Sequence, residues 1–127
     1  MPRFVVLYHE MPDDGTRRAH WDLLIEQGDV LRAWALDQRP IAGVTTNAQA
    51  LPDHRVHYLD FEGEVSGNRG RVSRVAAGQA TWLTDTADRI VLQLAGPSLD
   101  GAAELVRLPG SPTQWQFALA AGHVADG

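Results

Sequence analysis

Two segments of the chain carry side chains whose types and spacing suit metal chemistry. His20 and Asp22 stand two residues apart in the apolar stretch His20-Trp21-Asp22-Leu23-Leu24-Ile25-Glu26. Successive side chains of a strand point to opposite faces, so this imidazole and this carboxylate would share a face. His9 ends an earlier apolar run and adds a nitrogen donor; three protein ligands would leave positions open for water and substrate. These residues are candidates for a divalent-metal site at His9, His20 and Asp22, but the spacing taken alone fits a surface or hydrogen-bonded pair better and needs support from outside this stretch.

A second polar stretch combines imidazole and phenol groups: Asp53-His54-Arg55-Val56-His57-Tyr58-Leu59-Asp60-Phe61-Glu62-Gly63. As an extended strand it would place His54 and Tyr58 on one face and His57 on the other. Imidazole and phenol can both donate to a phosphoryl oxygen, and imidazole can exchange a proton near neutral pH. His54 and Tyr58 are therefore candidates for contact with a phosphoryl group, although this stretch alone favours a structural tyrosine beside an exposed histidine.

Short β-strands are the elements that must position these side chains. Apolar residues recur at period two, in short runs separated by Gly, Pro, Asp and Asn, which is the pattern of an antiparallel β protein. The large number of these short apolar runs predicts a mostly β, single-domain antiparallel β-barrel with short helical turns. The predicted strands are residues 4–9, 20–26, 30–36, 56–61, 71–75, 79–83, 89–94, 102–108 and 115–119.

Two connections between the predicted strands have distinct compositions. Gln27-Gly28-Asp29 supplies the glycine that a tight hairpin needs, so the strands on either side should pair. Residues 40–52 are rich in Ala, Thr and Asn without a strong period, which predicts a connection with one short helical turn at residues 48–51. We predict one domain over residues 1–127, with residues 120–127 frayed.

The composition limits the class of protein and the kind of metal site. With 127 residues, 44% hydrophobic and 21% charged, the chain has the balance of a single globular domain. The absence of Cys excludes disulfides and cysteine zinc fingers, and the remaining ligand types suit manganese or a mixed-ligand zinc. A net charge of −5 argues against non-specific duplex binding, so any contact with nucleic acid should be local. No stretch resembles a signal peptide or a membrane span, which predicts a cytoplasmic protein.

The order of these motifs resembles the 3′-phosphoesterase domain of bacterial ligases of non-homologous end joining, the ligase D N-terminal domain family, which also occurs as a free-standing protein. That family shows a His, a short basic loop, His-Tyr-Asp-Leu-Arg-x-Glu, Gly-Val-Leu-x-x-Trp-Ala and Asp-His-Pro-x-x-Tyr-x-x-Phe-Glu-Gly. The matching stretches here are His9, Arg17-Arg18, His20 to Glu26, Asp29 to Ala35 and Asp53 to Gly63. Because the later strands also look like the family's closing strands, the resemblance covers nearly the whole chain.

The resemblance implies a phosphoesterase that depends on manganese, or on zinc or another divalent metal. It would act on DNA or RNA-tailed DNA 3′ ends, removing a 3′-phosphate or a 3′-ribonucleotide in double-strand break repair, with a ligase or polymerase of end joining as partner. Carried over residue by residue, the family's metal ligands fall on His9, His20 and Asp22. Its phosphate-contacting and catalytic His and Tyr fall on His54 and Tyr58.

Three departures from the family pattern bear on activity. The family's phosphate-binding Arg is Leu24 here, which removes a fixed guanidinium that a neutral side chain cannot replace. The link of residues 10–19 is longer than the family's and could displace His9, and the turn after Phe-Glu-Gly also differs. The candidates to restore positive charge near the phosphate are Arg17, Arg18 and Arg69.

Two functions are therefore open from the sequence. One is a metal-dependent 3′-phosphoesterase; the other is a metal-binding or interaction module of a repair complex whose catalysis is weak or absent because of Leu24. Arginines turned toward the face of His20 and Asp22 would favour the enzyme, and an apolar face without cations would favour the module. A third class, a small-molecule-binding barrel, would require an apolar cavity without converging His and Asp side chains.

Overall fold

Antiparallel strands build the domain. The computed structural model describes residues 1–12, 18–67 and 69–122. The strands in these residues are β1 (Arg3–Glu10), β2 (His20–Gln27), β3 (Val30–Leu36), β4 (Thr45–Arg55), β5 (Gly63–Glu64), β6 (Arg71–Asp85), β7 (Arg89–Ala95), β8 (Gly101–Arg107) and β9 (Gln114–Ala120). A 3₁₀ helix, Val56–Leu59, follows β4.

The strands form one sheet that closes on itself. Neighbours run in the order β1-β2-β3-β4-β9-β8-β7-β6, and β6 pairs in turn with β1, so that these strands make a continuous ring with β5 added beside β6. The pairings are antiparallel. The prediction of a mostly β, antiparallel domain is confirmed.

The hairpin between β2 and β3 has the predicted tight turn. Gln27 pairs with Val30, which leaves Gly28 and Asp29 as the loop, and Gly28 has a φ of 62°. Two-residue hairpin loops favour positive φ because their twist then matches that of the flanking strands. The turn fixes the register of β2, and with it the face on which His20 and Asp22 lie.

The ring carries apolar side chains on both faces. Its inner face holds the main core, to which β1 contributes Phe4 and Val6. The alternate residues of β1, Val5 and Leu7, belong to a second cluster on the outer face. The members of this outer cluster are Val5, Leu7, Leu24, Leu31, Ala33, Leu59 and Val72. Because Leu59 comes from the 3₁₀ helix, that helix covers the outer face of the sheet next to the predicted metal ligands.

The prediction of a connection with a helical turn in residues 40–52 is wrong, because most of this segment belongs to β4. Thr46 and Ala48 are buried while their neighbours are exposed, so the strand has period two, but in small residues that give a weak signal. β4 fills the gap between β3 and β9. The register between β3 and β4 shifts near Pro52, where β4 has one extra residue and forms a β-bulge. A proline has no N–H to donate, and at a bulge this loss costs no hydrogen bond between the strands.

The predicted strand over residues 56–61 is also wrong. β4 ends at Arg55, opposite the first residue of β3, so the chain beyond it has no strand to pair with there. Val56 and Leu59 are three residues apart, and this spacing eclipses side chains in a 3₁₀ helix. Both pack into the outer cluster, and burial of this pair replaces strand pairing.

The two predicted strands at residues 71–75 and 79–83 are one strand, β6. Its first half pairs with β1 and its second half with β7. Gly78 lies between the two predicted strands and is part of β6. Only glycine fits at this position, because an added Cβ would collide with the main chain of Ala95 and Gly96. Its presence therefore marks a close approach of two backbones and not a turn.

Membrane-crossing helices are absent from the part of the chain that the structure describes: no helix there has the length and apolarity to span a bilayer. At the C-terminus β9 ends at Ala120. Of the tail predicted to be frayed, residues 123–127 lie outside the described residues.

Candidate metal centre

Pairing of β1 with β2 brings the predicted metal ligands together. His9 lies directly opposite His20, and Leu7 lies opposite Asp22. Partners across an antiparallel pair point to the same face, so both imidazoles and the carboxylate project from the outer face of the ring. One ligand atom from each of His9, His20 and Asp22 lies within 4.8 Å of the others.

The carboxylate of Asp22 stands between the two imidazoles. His9 Nδ1 lies 2.9 Å from Asp22 Oδ2, and His20 Nε2 lies 2.9 Å from Asp22 Oδ1. The side chains of Asp22 and His20 are buried, with 6% and 10% of their surface exposed. Little solvent therefore reaches the space that the three side chains share.

Backbone carbonyls orient both imidazoles. His9 Nε2 lies 2.6 Å from the carbonyl oxygen of Arg69, and His20 Nδ1 lies 3.1 Å from that of Arg18. A carbonyl only accepts, so the nitrogen that faces it must carry the proton. In a neutral ring the other nitrogen then presents a lone pair toward Asp22. This is the arrangement in which a metal-ligating histidine is held by a hydrogen bond from its second nitrogen.

The carboxylate of Asp22 and the imidazoles of His9 and His20 need a positive charge between them to be stable at these distances. Burial alone would raise the pKa of the Asp22 carboxyl, but its contacts with His20 and His9 outweigh burial and hold the pKa below the ordinary value of 3.8. An ionised carboxylate and the lone pairs of two neutral imidazoles would repel one another at these distances. Either extra protons on the rings or a metal ion must supply the compensating positive charge.

The donor set fits a divalent metal. Asp22 Oδ1 is buried and receives no hydrogen bond from the residues that the structure describes, although His20 Nε2 is in ion-pair contact with it. A buried carboxylate oxygen without a donor is costly unless a cation takes the donor's place. Two imidazole nitrogens and a carboxylate suit Zn²⁺ or Mn²⁺ and leave further coordination positions open.

A cleft of about 640 Å³ opens beside this cluster, between the outer face of the sheet and the 3₁₀ helix, Val56–Leu59, that covers it. His9, His20 and Asp22 line one wall, and the same cleft contains His54, His57 and Tyr58. The predicted catalytic pair therefore faces the predicted metal ligands. The expectation that His57 points away is wrong, because the 3₁₀ helix replaces the strand alternation on which it depended.

The ring of His54, near the end of β4, and the rings of His57 and Tyr58 in the 3₁₀ helix pack against one another. His57 and Tyr58 have ring centroids 4.2 Å apart, and His54 meets Tyr58 edge to face at 5.7 Å. His54 Nδ1 donates to the carbonyl of Pro52 at 2.8 Å. In a neutral ring this hydrogen bond leaves the lone pair on Nε2, which can accept a proton, and in the charged ring Nε2 is a donor.

The predicted arginines separate into three cases. Arg69 lines the cleft, and its guanidinium donates to the carbonyl oxygen and the hydroxyl of Ser66. Arg18 is exposed and is not part of the lining, and Arg17 lies outside the described residues. Arg55, which occupies the position of the family's Pro, also lines the cleft. Sequence reasoning missed Arg55, although a charge in place of the motif's proline was a visible signal.

Leu24 has an apolar role on the face that bears the ligands. It is 1% exposed and belongs to the outer cluster with Leu7 and Leu31. It also lines the cleft, at the side of the sheet where the family's arginine would project. The face of β2 next to the predicted metal ligands is thus apolar at Leu24, while Arg55, at the end of β4, and Arg69, between β5 and β6, bring positive charge to the same cleft.

Comparison with protein families gives one match. The model of the DNA ligase D 3′-phosphoesterase domain matches residues 13–107, which is most of the chain. A search of curated proteins found no matching protein. The family match spans both the strand that carries His20 and Asp22 and the segment that carries His54 and Tyr58.

Proposed function

Because this chain belongs to the family of the DNA ligase D 3′-phosphoesterase domain, we propose that it is a divalent-metal-dependent phosphoesterase. Membership supports a 3′-phosphoesterase role in DNA end joining. The substrates we propose are DNA or RNA-tailed DNA ends from which a 3′-phosphate or a 3′-ribonucleotide is removed. The observation that carries the proposal is the cleft in which His9, His20 and Asp22 face His54 and Tyr58.

The metal ligands in this proposal are His9 through Nδ1, His20 through Nε2 and the carboxylate of Asp22. These are the atoms left facing one another once the Arg69 and Arg18 carbonyls have taken the other ring nitrogens. A bound Mn²⁺ or Zn²⁺ would supply a Lewis acid that polarises a phosphoryl oxygen. The two carbonyls keep the lone pairs aimed at the ion and so lower the cost of assembling the site.

The groups that would meet the phosphate come from the end of β4, the 3₁₀ helix and the turn before β6. His54 in its charged form and the Tyr58 hydroxyl can donate to phosphoryl oxygens whose negative charge increases in the transition state. When water attacks the phosphorus and the bond from phosphorus to the 3′ oxygen breaks, charged His54 can pass the Nε2 proton to the departing 3′ oxygen, since its Nδ1 is already held by Pro52. Arg69 adds a guanidinium whose contacts with Ser66 are exposed and therefore exchangeable for a phosphate.

One observation favours a second function. Leu24 is buried in the outer cluster, so β2 provides no guanidinium at the position of the family's phosphate-binding arginine. A chain that keeps the metal ligands without this group could act as a metal-binding module of a repair complex, with a ligase or polymerase of end joining as its partner. Arg55 and Arg69 in the cleft support the enzyme in preference to the module.

Activity on a defined end tests the proposal. The purified protein is incubated with Mn²⁺ and a primer-template bearing a 3′-phosphate, and release of inorganic phosphate is measured for wild type, Asp22→Ala and His54→Ala. Asp37→Ala, which removes an exposed carboxylate beyond β3, is the matched control. We expect activity in wild type and the control and losses of about a hundredfold or more in the other two. No activity in wild type, or equal activity in all four proteins, would contradict the enzyme assignment.

A further inference from the structure

We propose that Gly70 is a positioning residue for the metal centre: it keeps the carbonyl of Arg69 against His9 and thereby sets the affinity for the metal. This inference rests on the proposed metal site and adds a residue that contacts neither metal nor substrate. It follows from the contacts of one peptide unit, the one that joins Arg69 to Gly70.

The Arg69 carbonyl is the partner of a metal ligand. Its oxygen lies 2.6 Å from His9 Nε2, and the opposite nitrogen of the ring, Nδ1, lies 2.9 Å from Asp22. Rotation of the His9 ring about its Cβ–Cγ bond would break both contacts together. The carbonyl therefore fixes the rotation of the ring and keeps the proton on Nε2, which leaves Nδ1 available to the metal.

Gly70 determines where this carbonyl lies. The carbonyl of Arg69 and the nitrogen of Gly70 share a planar peptide unit, so a shift of the Gly70 Cα moves the carbonyl oxygen with it. Gly70 has a φ of 90°, and an added Cβ would collide with the carbonyl oxygen of Glu10 and lie 3.1 Å from the Cα of Met11. On its other side, the carbonyl of Gly70 accepts from the nitrogen of Val65 at 2.8 Å.

Only a residue without a side chain can approach the end of β1 this closely. Glu10 directly follows His9, so the strand end against which Gly70 packs is the one that carries the metal ligand. Any larger residue must move the peptide unit away from β1, because backbone atoms of Glu10 and Met11 block the Cβ position. Such a shift lengthens the hydrogen bond to His9 and weakens one ligand of the site.

The chain offers a matched control at Gly67. It has a φ of 75°, so alanine is strained there as it is at Gly70. The nearest atom to an added Cβ at Gly67 is Arg69 Nε at 3.7 Å, an ordinary contact with a flexible side chain. Gly67→Ala therefore reproduces the backbone strain of Gly70→Ala without the collision with β1.

The variant Arg69→Ala distinguishes the role of the Arg69 carbonyl from that of the Arg69 guanidinium. It removes the guanidinium that contacts Ser66 in the cleft but keeps the carbonyl that accepts from His9. On this proposal the metal affinity of Arg69→Ala stays near that of wild type. The binding of inorganic phosphate to the Mn²⁺-loaded protein should weaken in the same variant.

Calorimetric titration with Mn²⁺ measures the effect directly, on the 127-residue chain, whose folding is checked by circular dichroism. We expect Gly70→Ala to bind Mn²⁺ about 10- to 100-fold more weakly than wild type, the usual loss when the partner of a ligating histidine is disturbed. Gly67→Ala and Arg69→Ala should stay within about threefold of wild type. Equal affinities in Gly70→Ala and wild type, or equal losses in Gly70→Ala and Gly67→Ala, would overturn the inference.

A measurement on wild type keeps the inference testable if Gly70→Ala does not fold. In the metal-free protein, the Nε2 proton of His9 should give a slowly exchanging, downfield NMR signal that is assigned by its loss in His9→Gln. A ring that exchanges its protons freely would overturn the proposed role of the Arg69 carbonyl. Absence of Mn²⁺ binding in wild type would instead contradict the proposed function, so the two failures are distinguishable.

Discussion

His9 and Asp22 are 13 residues apart in the chain, yet His9 Nδ1 lies 2.9 Å from Asp22 Oδ2. The contact exists because β1 and β2 pair with His9 opposite His20, which places Asp22 diagonally across the same face. Neither side chain needs a flexible loop to reach the other. The pairing of the two strands is therefore sufficient to bring the predicted metal ligands together.

The metal-free protein should lose stability in acid through Asp22. The pKa of its carboxyl is below the ordinary value in the folded chain, so folding favours the ionised form. This contribution is complete above the unfolded pKa of about 3.9 and is lost as the pH falls through the folded pKa. We expect Asp22→Asn to cost about 1.5–3 kcal/mol of unfolding free energy near pH 6 and progressively less as the pH falls below about 3.9.

Urea unfolding of wild type and Asp22→Asn in the presence of a chelator, repeated across this pH range, measures the difference. Asp37→Asn, at an exposed position, is the control and should differ from wild type by a small, pH-independent amount. A difference for Asp22→Asn that stays constant down to pH 2 would show that its carboxylate is not the group that titrates.

The metal should stabilise the folded chain through the three ligands. A ligand that binds only the folded state at a concentration of 100 times its Kd adds about 2.7 kcal/mol to the unfolding free energy. We expect this increase for wild type with Mn²⁺ and its absence for Asp22→Ala and His20→Ala. Thermal unfolding with and without Mn²⁺ provides the measurement. The same increase in His20→Ala as in wild type would place the ion elsewhere.

Strand alternation was sufficient to predict the face of His20 and Asp22, because Leu23 and Ile25 of β2 are buried in the inner core and fix its orientation. The arrangement of His54 and Tyr58 was harder to predict from the sequence. Residues 56–61 fit period two as well as the three-residue spacing of Val56 and Leu59, and only the end of β3 decides against a strand. The choice depends on tertiary pairing, which local spacing does not contain.

The partners of the imidazoles could not be predicted at all. Besides Asp22, these partners are main-chain carbonyls, those of Arg69 and Arg18, and every residue type has a main-chain carbonyl. The predicted metal ligands thus follow from residue types in a motif, whereas the groups that orient them follow from the path of the backbone. β4 illustrates a similar limit, because Thr46 and Ala48 alternate in burial without the large apolar side chains that reveal a strand.

Leu24 should contribute to stability in this chain. It is 1% exposed among Leu7, Leu31 and other members of the outer cluster, so its removal leaves a cavity. We expect Leu24→Ala to cost about 2–5 kcal/mol of unfolding free energy, the range for a buried leucine. Leu83→Ala, at a position that is 47% exposed, is the matched control and should change stability by about 0.5 kcal/mol or less. Equal costs at the two positions in urea unfolding would show that the outer cluster is not packed as described.

Binding of DNA ends should depend weakly on salt. The net charge is −5, and the described arginines that line the cleft are Arg55 and Arg69. Each phosphate neutralised on a single strand contributes about −0.7 to the slope of log K against log salt concentration, so two contacts predict a slope of about −1.4.

Arg55→Ala and Arg69→Ala should each bring the slope about 0.7 closer to zero, while Arg39→Ala, at an exposed position outside the cleft lining, should leave it unchanged. Fluorescence anisotropy with a 3′-phosphorylated oligonucleotide and the Mn²⁺-loaded protein measures these slopes. A slope that does not respond to Arg55→Ala and Arg69→Ala would mean that the strand binds away from the cleft.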